Sequence, residues 1–200
     1  MKRIMFILIF APLICFSQQI TVIDAKGYHY NDILKQMIEC DLSVRYDEQI
    51  RKTYLYIGEA ITTTAYTLEE SDVDSLNIIF DKYFKWEKQA NEMKVKIEKN
   101  IKDISLEGWF KYGNGEWSNS KIKNCIFRSL FFSQSESNHQ LVFQFGKITD
   151  YNNEYSDHTP ENVYLSKSQV LSLRKGFSKE YLDSILKKQK EKDKVEDLFK

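Results

Sequence analysis

Cysteine, proline and glycine are all scarce in this sequence, and each shortage excludes something. Three cysteines are too few for the disulfide framework that holds small secreted scaffolds together. Two prolines, Pro12 and Pro160, with 14% aromatic residues, are the opposite of a disordered composition. Seven glycines leave little material for loops that bring backbone against phosphate, and no glycine-rich phosphate motif is present. Neither sign of charge dominates, with 29 basic against 29 acidic residues. That balance lacks the basic excess of a nucleic-acid-binding domain, so no nucleic-acid partner is expected. Beyond the first sixteen residues no apolar run approaches the ~18 needed to span a membrane. Also missing are Gly-x-Ser-x-Gly, His-Glu-x-x-His and Cys-x-x-Cys, the short motifs that announce common catalytic or metal chemistry.

What is present begins with MKRIMFILIFAPLICFS. Lys2 and Arg3 precede an apolar core from Ile4 to Phe16, and Cys15 and Ser17 put small residues at −3 and −1 of a cut before Gln18. The segment has the form of a cleaved Sec-type signal, so residues 1–17 are expected to be removed. Lipid attachment at Cys15 is the weaker reading, because the residue before it is Ile14. The expected compartment is the periplasm or the exterior, with no membrane span after the signal is removed. Loss of Lys2 and Arg3 tips the remaining charge slightly acidic. Cys40 and Cys125 then remain, an even number in an oxidising compartment. A bridge would close a loop of about 85 residues, worth on the order of 4–5 kcal/mol in the chain-entropy model. We expect two separate buried thiols instead, since free cysteine packs as a small hydrophobe.

Residues 31–40 (NDILKQMIEC) carry apolar side chains at helical spacing behind Asn31, a good N-cap, and predict a helix. TYLYI (53–57) and AITTTAY (60–66) are β-branched and aromatic and predict strands, with Gly58 marking a bend. From Ser71 to about Asn100, apolar residues recur at three and four, from Leu76 and Ile79 through Tyr83, Trp86 and Ala90 to Met93 and Ile97. Phe80 and Phe84 widen that stripe beyond a coiled-coil seam and suit a long amphipathic helix laid on a sheet. Residues 104–112, 122–132 and 140–148 predict strands joined by short turns, hence an antiparallel meander. The middle one has apolar residues on both faces and is expected to be covered on both. Ser166 and Ser178 cap two short C-terminal helices, the second fading into the solvated run KKQKEKDK. The expected fold class is α+β: an antiparallel meander, one long amphipathic helix packed on it, and short C-terminal helices. Residues 18–200 should form a single exported domain.

The candidate chemistry is thin. His29, His139 and His158 stand in predicted turns, unpaired at ligand spacing, and a pairing of one of them with Cys40 or Cys125 would have to be made in space. Asp150, Asn152, Glu154, Ser156, His158 and Glu161 fit the alternating donor positions of an EF-hand loop. Tyr155, however, occupies the place of the turn glycine, and a solvated loop is expected. Nothing implies a cofactor or a metal. The remaining feature is the aromatic hairpin WFKYGNGEW. A two-residue Asn114-Gly115 turn would set Tyr112 opposite Trp117, with Phe110 on their buried face and Trp109 beside Lys111 on the other. A three-residue Gly113-Asn114-Gly115 loop would instead align Trp109, Lys111 and Trp117. We expect the two-residue turn, with Trp109 and Lys111 as candidate ligand contacts. The function expected is that of a non-catalytic binding or interaction module, its ligand an unknown protein, small molecule or glycan. The alternatives are a small exported hydrolase with dispersed catalytic residues and a structural subunit assembling through the long helix.

Overall fold

The structure, a computed structural model, describes residues 19–198; the signal segment lies outside them. The class is α+β with a large antiparallel sheet. Four strands come first: β1 (Gln19–Asn31), β2 (Gln36–Asp47), β3 (Lys52–Gly58) and β4 (Thr62–Leu68). Helix α1 (Glu70–Met93) leads to β5 (Glu98–Tyr112), the short β6 (Ser118–Asn119), β7 (Cys125–Ser133) and β8 (His139–Phe145). A small hairpin, β9 (Ile148–Asp150) and β10 (Asn153–His158), precedes β11 (Val163–Leu165), α2 (Lys167–Gly176) and α3 (Lys179–Asp197). The sheet order is β4-β3-β2-β1-β11-β8-β7-β5-β6, and β4 also pairs with β5. The eight strands from β4 round to β5 therefore form a closed antiparallel ring, which removes the exposed edges an open sheet would leave.

Period-two alternation fills this ring. Val44 pairs with Leu55, Leu55 with Tyr66, and Tyr66 with Gly108, so their side chains share the inward face. Tyr66 stacks on Phe145 at 5.3 Å, and Phe127 meets Phe143 at 4.7 Å and Phe145 at 5.3 Å. Gly108 leaves room for this packing: a Cβ there would stand 2.8 Å from Ile148 and 2.9 Å from Cys125. Helices α1 and α2 close the end of the ring where β4 stops. Leu76, Ile79, Phe80 and Tyr83 of α1 join Val170 and Leu173 of α2 in the same core, and the Tyr83 hydroxyl donates to the His139 carbonyl at 2.9 Å.

Several expectations are corrected. Residues 31–40 form a hairpin tip, with 32–35 as its turn. Asn31 Oδ1 accepts the amides of Ile33 and Leu34, as an N-cap would. Lys35 then takes φ +53° and turns the chain back, leaving Ile33 89% exposed. The α1 helix stops short of residue 100. Lys94 adopts the left-handed conformation, its amide returning to the Ala90 carbonyl, and Met93 and Ile97 are exposed. Strand β7 is covered on one face: Cys125, Phe127 and Phe131 are buried while Ile126 is half exposed. The capping assignments further on agree with the structure. Ser166 and Gln169 make a capping box at α2, and Ser178 Oγ accepts the Tyr181 amide at α3.

Candidate functional site

The hairpin WFKYGNGEW adopts the three-residue register. Trp109 pairs with Asn119 and Phe110 with Ser118, while the Gly115 amide closes the turn on the Tyr112 carbonyl at 2.9 Å. The expected two-residue turn is thus overturned. Phe110 pairs with Thr64 across β4 and is 1% exposed, so the neighbouring strand has already fixed which face of β5 is inside. Gly113, at φ +51°, supplies the left-handed residue the wider loop needs. Trp117 is therefore not a core ring. It stands on the outer face, 39% exposed, with Lys111 Nζ 5.1 Å from its ring centre.

On this face Trp109 and Lys111 have neighbours from distant parts of the chain. Tyr56, Ala65 and Trp109 form one row across β3, β4 and β5. Alanine in the middle leaves a depression of about 170 Å³, walled by Tyr54, Tyr56, Trp109 and Trp117. Tyr56 and Trp117 meet edge to face at 6.0 Å, and Tyr54 lies 6.3 Å from Tyr56. The rings are held by their polar atoms. Trp109 Nε1 donates to Thr67 Oγ1 at 3.0 Å, and the Tyr56 hydroxyl donates to Gln19 Oε1 at 2.8 Å. A second groove of about 440 Å³ continues from Tyr56 past Arg45, Ser43 and Gly58 towards Lys26 and Asp41. The Arg45 guanidinium lies 4.4 Å above the Tyr56 ring. At the far end Lys26 is bound to Glu39 and Asp41 at 3.0 and 2.5 Å, and these hydrogen bonds hold its ammonium pKa above the ordinary value.

The alternation in TYLYI places Tyr54 and Tyr56 together, opposite Leu55 and Ile57, and that signal was available in the sequence. Gln19, Arg45 and Trp117 reach the same face only through strand pairing and the wider loop.

The other candidates are engaged elsewhere. Cys40 and Cys125 are buried free thiols; burial pushes Cys40 up to about 11 and raises Cys125 as well. A nucleophilic cysteine needs the opposite shift. His29 Nε2 lies 3.4 Å from Glu161, and His139 Nδ1 is 2.8 Å from Ser133 Oγ while its ring stacks on Phe131. The loop from Asp150 is the β9–β10 hairpin and not an open donor loop. His158, at its end, contacts Glu59 Oε2 at 2.8 Å, and Glu59 Oε1 accepts the Glu161 amide at 2.7 Å. Among the described residues no group of three or more His, Cys, Asp or Glu is placed to hold a metal ion. No helix among them is long and apolar enough to cross a membrane.

Set against known proteins, the chain matches no family model, no curated sequence and no solved structure.

Proposed function

We propose that the chain is an exported, non-catalytic binding module, periplasmic or secreted, that takes its ligand on the aromatic outer face. Trp109 and Lys111 serve as contacts there, together with Trp117 and Tyr56. The fold suits such a role, since an antiparallel meander braced by the amphipathic helix α1 offers a stiff platform. Sites built on strands hold their side chains more rigidly than sites on loops. The observation that carries the reading is the convergence of four aromatic side chains on one open depression, outside a ring whose interior is filled. Tyrosine and tryptophan give a large contact area at small entropy cost, and their polar atoms keep such a face compatible with water.

A combined array of oligosaccharides and peptides, probed with the mature chain and with a Trp109→Ala/Trp117→Ala variant, tests this. Binding to at least one probe, lost in the variant while its circular dichroism is retained, is the expected result. Binding that survives the double substitution, or none in the wild type, contradicts the proposal. Export has its own test. The intact mass of the exported protein should correspond to a chain starting at Gln18, and a lipid-modified Cys15 would contradict it.

A further inference from the structure

Two cations border the aromatic depression, and they differ from Lys26 further along the groove. Lys26, at the far end of the adjoining groove, is held by Glu39 and Asp41. Arg45 and Lys111 have no carboxylate partner among the described residues; each lies over an aromatic ring, Arg45 on Tyr56 and Lys111 on Trp117. Arg45 Nε is buried without a hydrogen-bond partner there. The planar guanidinium, intermediate in exposure as a whole, offers paired N–H donors in a geometry that fits a carboxylate. Its contact with the Tyr56 ring, 4.4 Å from the ring centre, restrains it before anything binds.

We infer that the outer face binds an acidic oligosaccharide, with a sugar ring in the aromatic depression and its carboxylate on Arg45. This rests on the outer-face reading above and names its ligand class. The apolar C–H face of a pyranose packs on flat aromatic rings, while its hydroxyl rim remains in water or meets Gln19 and Ser43. The depression has room for about one ring; the groove beyond Tyr56 continues the surface, but Asp24 and Asp41 line it beside Lys26, so the ligand's carboxylate is placed at Arg45 and not along the groove. A peptide is less suited. Recognition of an extended peptide by a sheet draws on a free strand edge, whereas this face lies over β3, β4 and β5, each paired on both sides at the depression. The near-neutral charge of the chain also gives no broad field for a polyphosphate.

The test compares a galacturonic acid tetramer with the same tetramer as its methyl ester, followed by tryptophan emission and calorimetry on the wild-type mature chain. Mannuronate and hyaluronan oligomers are run beside them, with galactan and mannan oligomers as neutral counterparts. The acidic probes should bind, with the ester weaker by about tenfold or more, the scale of a lost charge-assisted hydrogen bond. Arg45→Gln should remove that preference, and Trp117→Ala should weaken both forms. Acid and ester binding equally, or neutral oligomers alone binding, overturns the acidic class and leaves the outer-face reading standing. No binding of any carboxylated probe also overturns it. Acid-selective binding that persists in Trp109→Ala/Trp117→Ala overturns the outer-face reading itself. The comparison of acid with ester needs no variant, so it does not depend on whether Arg45→Gln folds.

Discussion

Tyr66 is the largest side chain inside the ring, and its hydroxyl is buried without a hydrogen-bond partner among the described residues. The ring gains from stacking on Phe145 and from an edge-to-face contact with Phe127, while the oxygen has been desolvated with nothing in return. Tyr83 is equally buried, but its hydroxyl donates to the His139 carbonyl. Removing the two oxygens should therefore have different effects. Tyr66→Phe is expected to leave stability unchanged or raise it by up to ~1 kcal/mol, and Tyr83→Phe to lower it by ~1–2 kcal/mol. Urea melts of the two variants check this, and equal losses would contradict it. Neither role could be read from the sequence, because both residues sit in apolar patterns that specify burial without specifying a partner for the oxygen. Placement of Tyr54 and Tyr56 on one side of β3 was legible, since alternation alone decides it.

Among the elements, the hairpin after β5 shows where a local signal loses to its neighbours. Asn114-Gly115 is the preferred sequence for a two-residue turn, yet the chain forms the wider loop. Phe110 faces the interior opposite Thr64 under either turn; the pairing of β6 with β5, Trp109 with Asn119 and Phe110 with Ser118, sets the wider loop. Residues 31–40 fail as a helix for a related reason. The Asn31 side chain accepts the amides two and three residues on, and the same bonds begin either a helix or a turn. Lys35 in the left-handed region decides for the turn. The starts of the C-terminal helices are legible because Ser166 with Gln169, and Ser178, supply caps that need no distant contact, but α3 does not fade at KKQKEKDK and runs through it to Asp197. The register makes a direct prediction. Phe110→Ala should destabilise by ~3–5 kcal/mol, the range for a buried aromatic, and Trp117→Ala by only ~1–2 kcal/mol. Denaturant melts decide, and a greater loss at Trp117 would restore the two-residue register.

For the whole molecule, the α+β class and the strands β3, β4, β5, β7 and β8 follow from periodicity, whereas the long strands β1 and β2 do not. Closure of the sheet does not, because β4–β5 and β1–β11 pairings join segments far apart in sequence. Closure also explains why the interior holds aromatic side chains and the outer surface carries the candidate site. It has a consequence for pH. Burial raises Cys40 from an ordinary value of 9.0 to about 11 and raises the phenols of Tyr66 and Tyr83. Each group loses its proton more readily when unfolded, so the folded state holds more protons at alkaline pH. The contribution of these groups is complete below about pH 9 and falls as the pH rises through 11. Thermal melts should therefore decline from pH 9 upward, with Cys40→Ala flattening the first part of that decline. A melting temperature constant to pH 11 would contradict the burial assigned to these groups.

The central claim, that ligand meets the outer aromatic face, is tested most directly by the indole N–H signals in a two-dimensional ¹⁵N NMR spectrum. The chain has three tryptophans, so three signals are available, each assignable by a single Trp→Phe substitution. Trp109 and Trp117 line the depression, whereas Trp86 belongs to α1 and packs edge to face on Phe131, near the helix-covered end of the ring. On titration with the galacturonic acid tetramer, the Trp109 and Trp117 signals should shift together while Trp86 stays in place. A spectrum in which Trp86 alone moves, or in which all three remain unchanged at saturating ligand, would contradict the account.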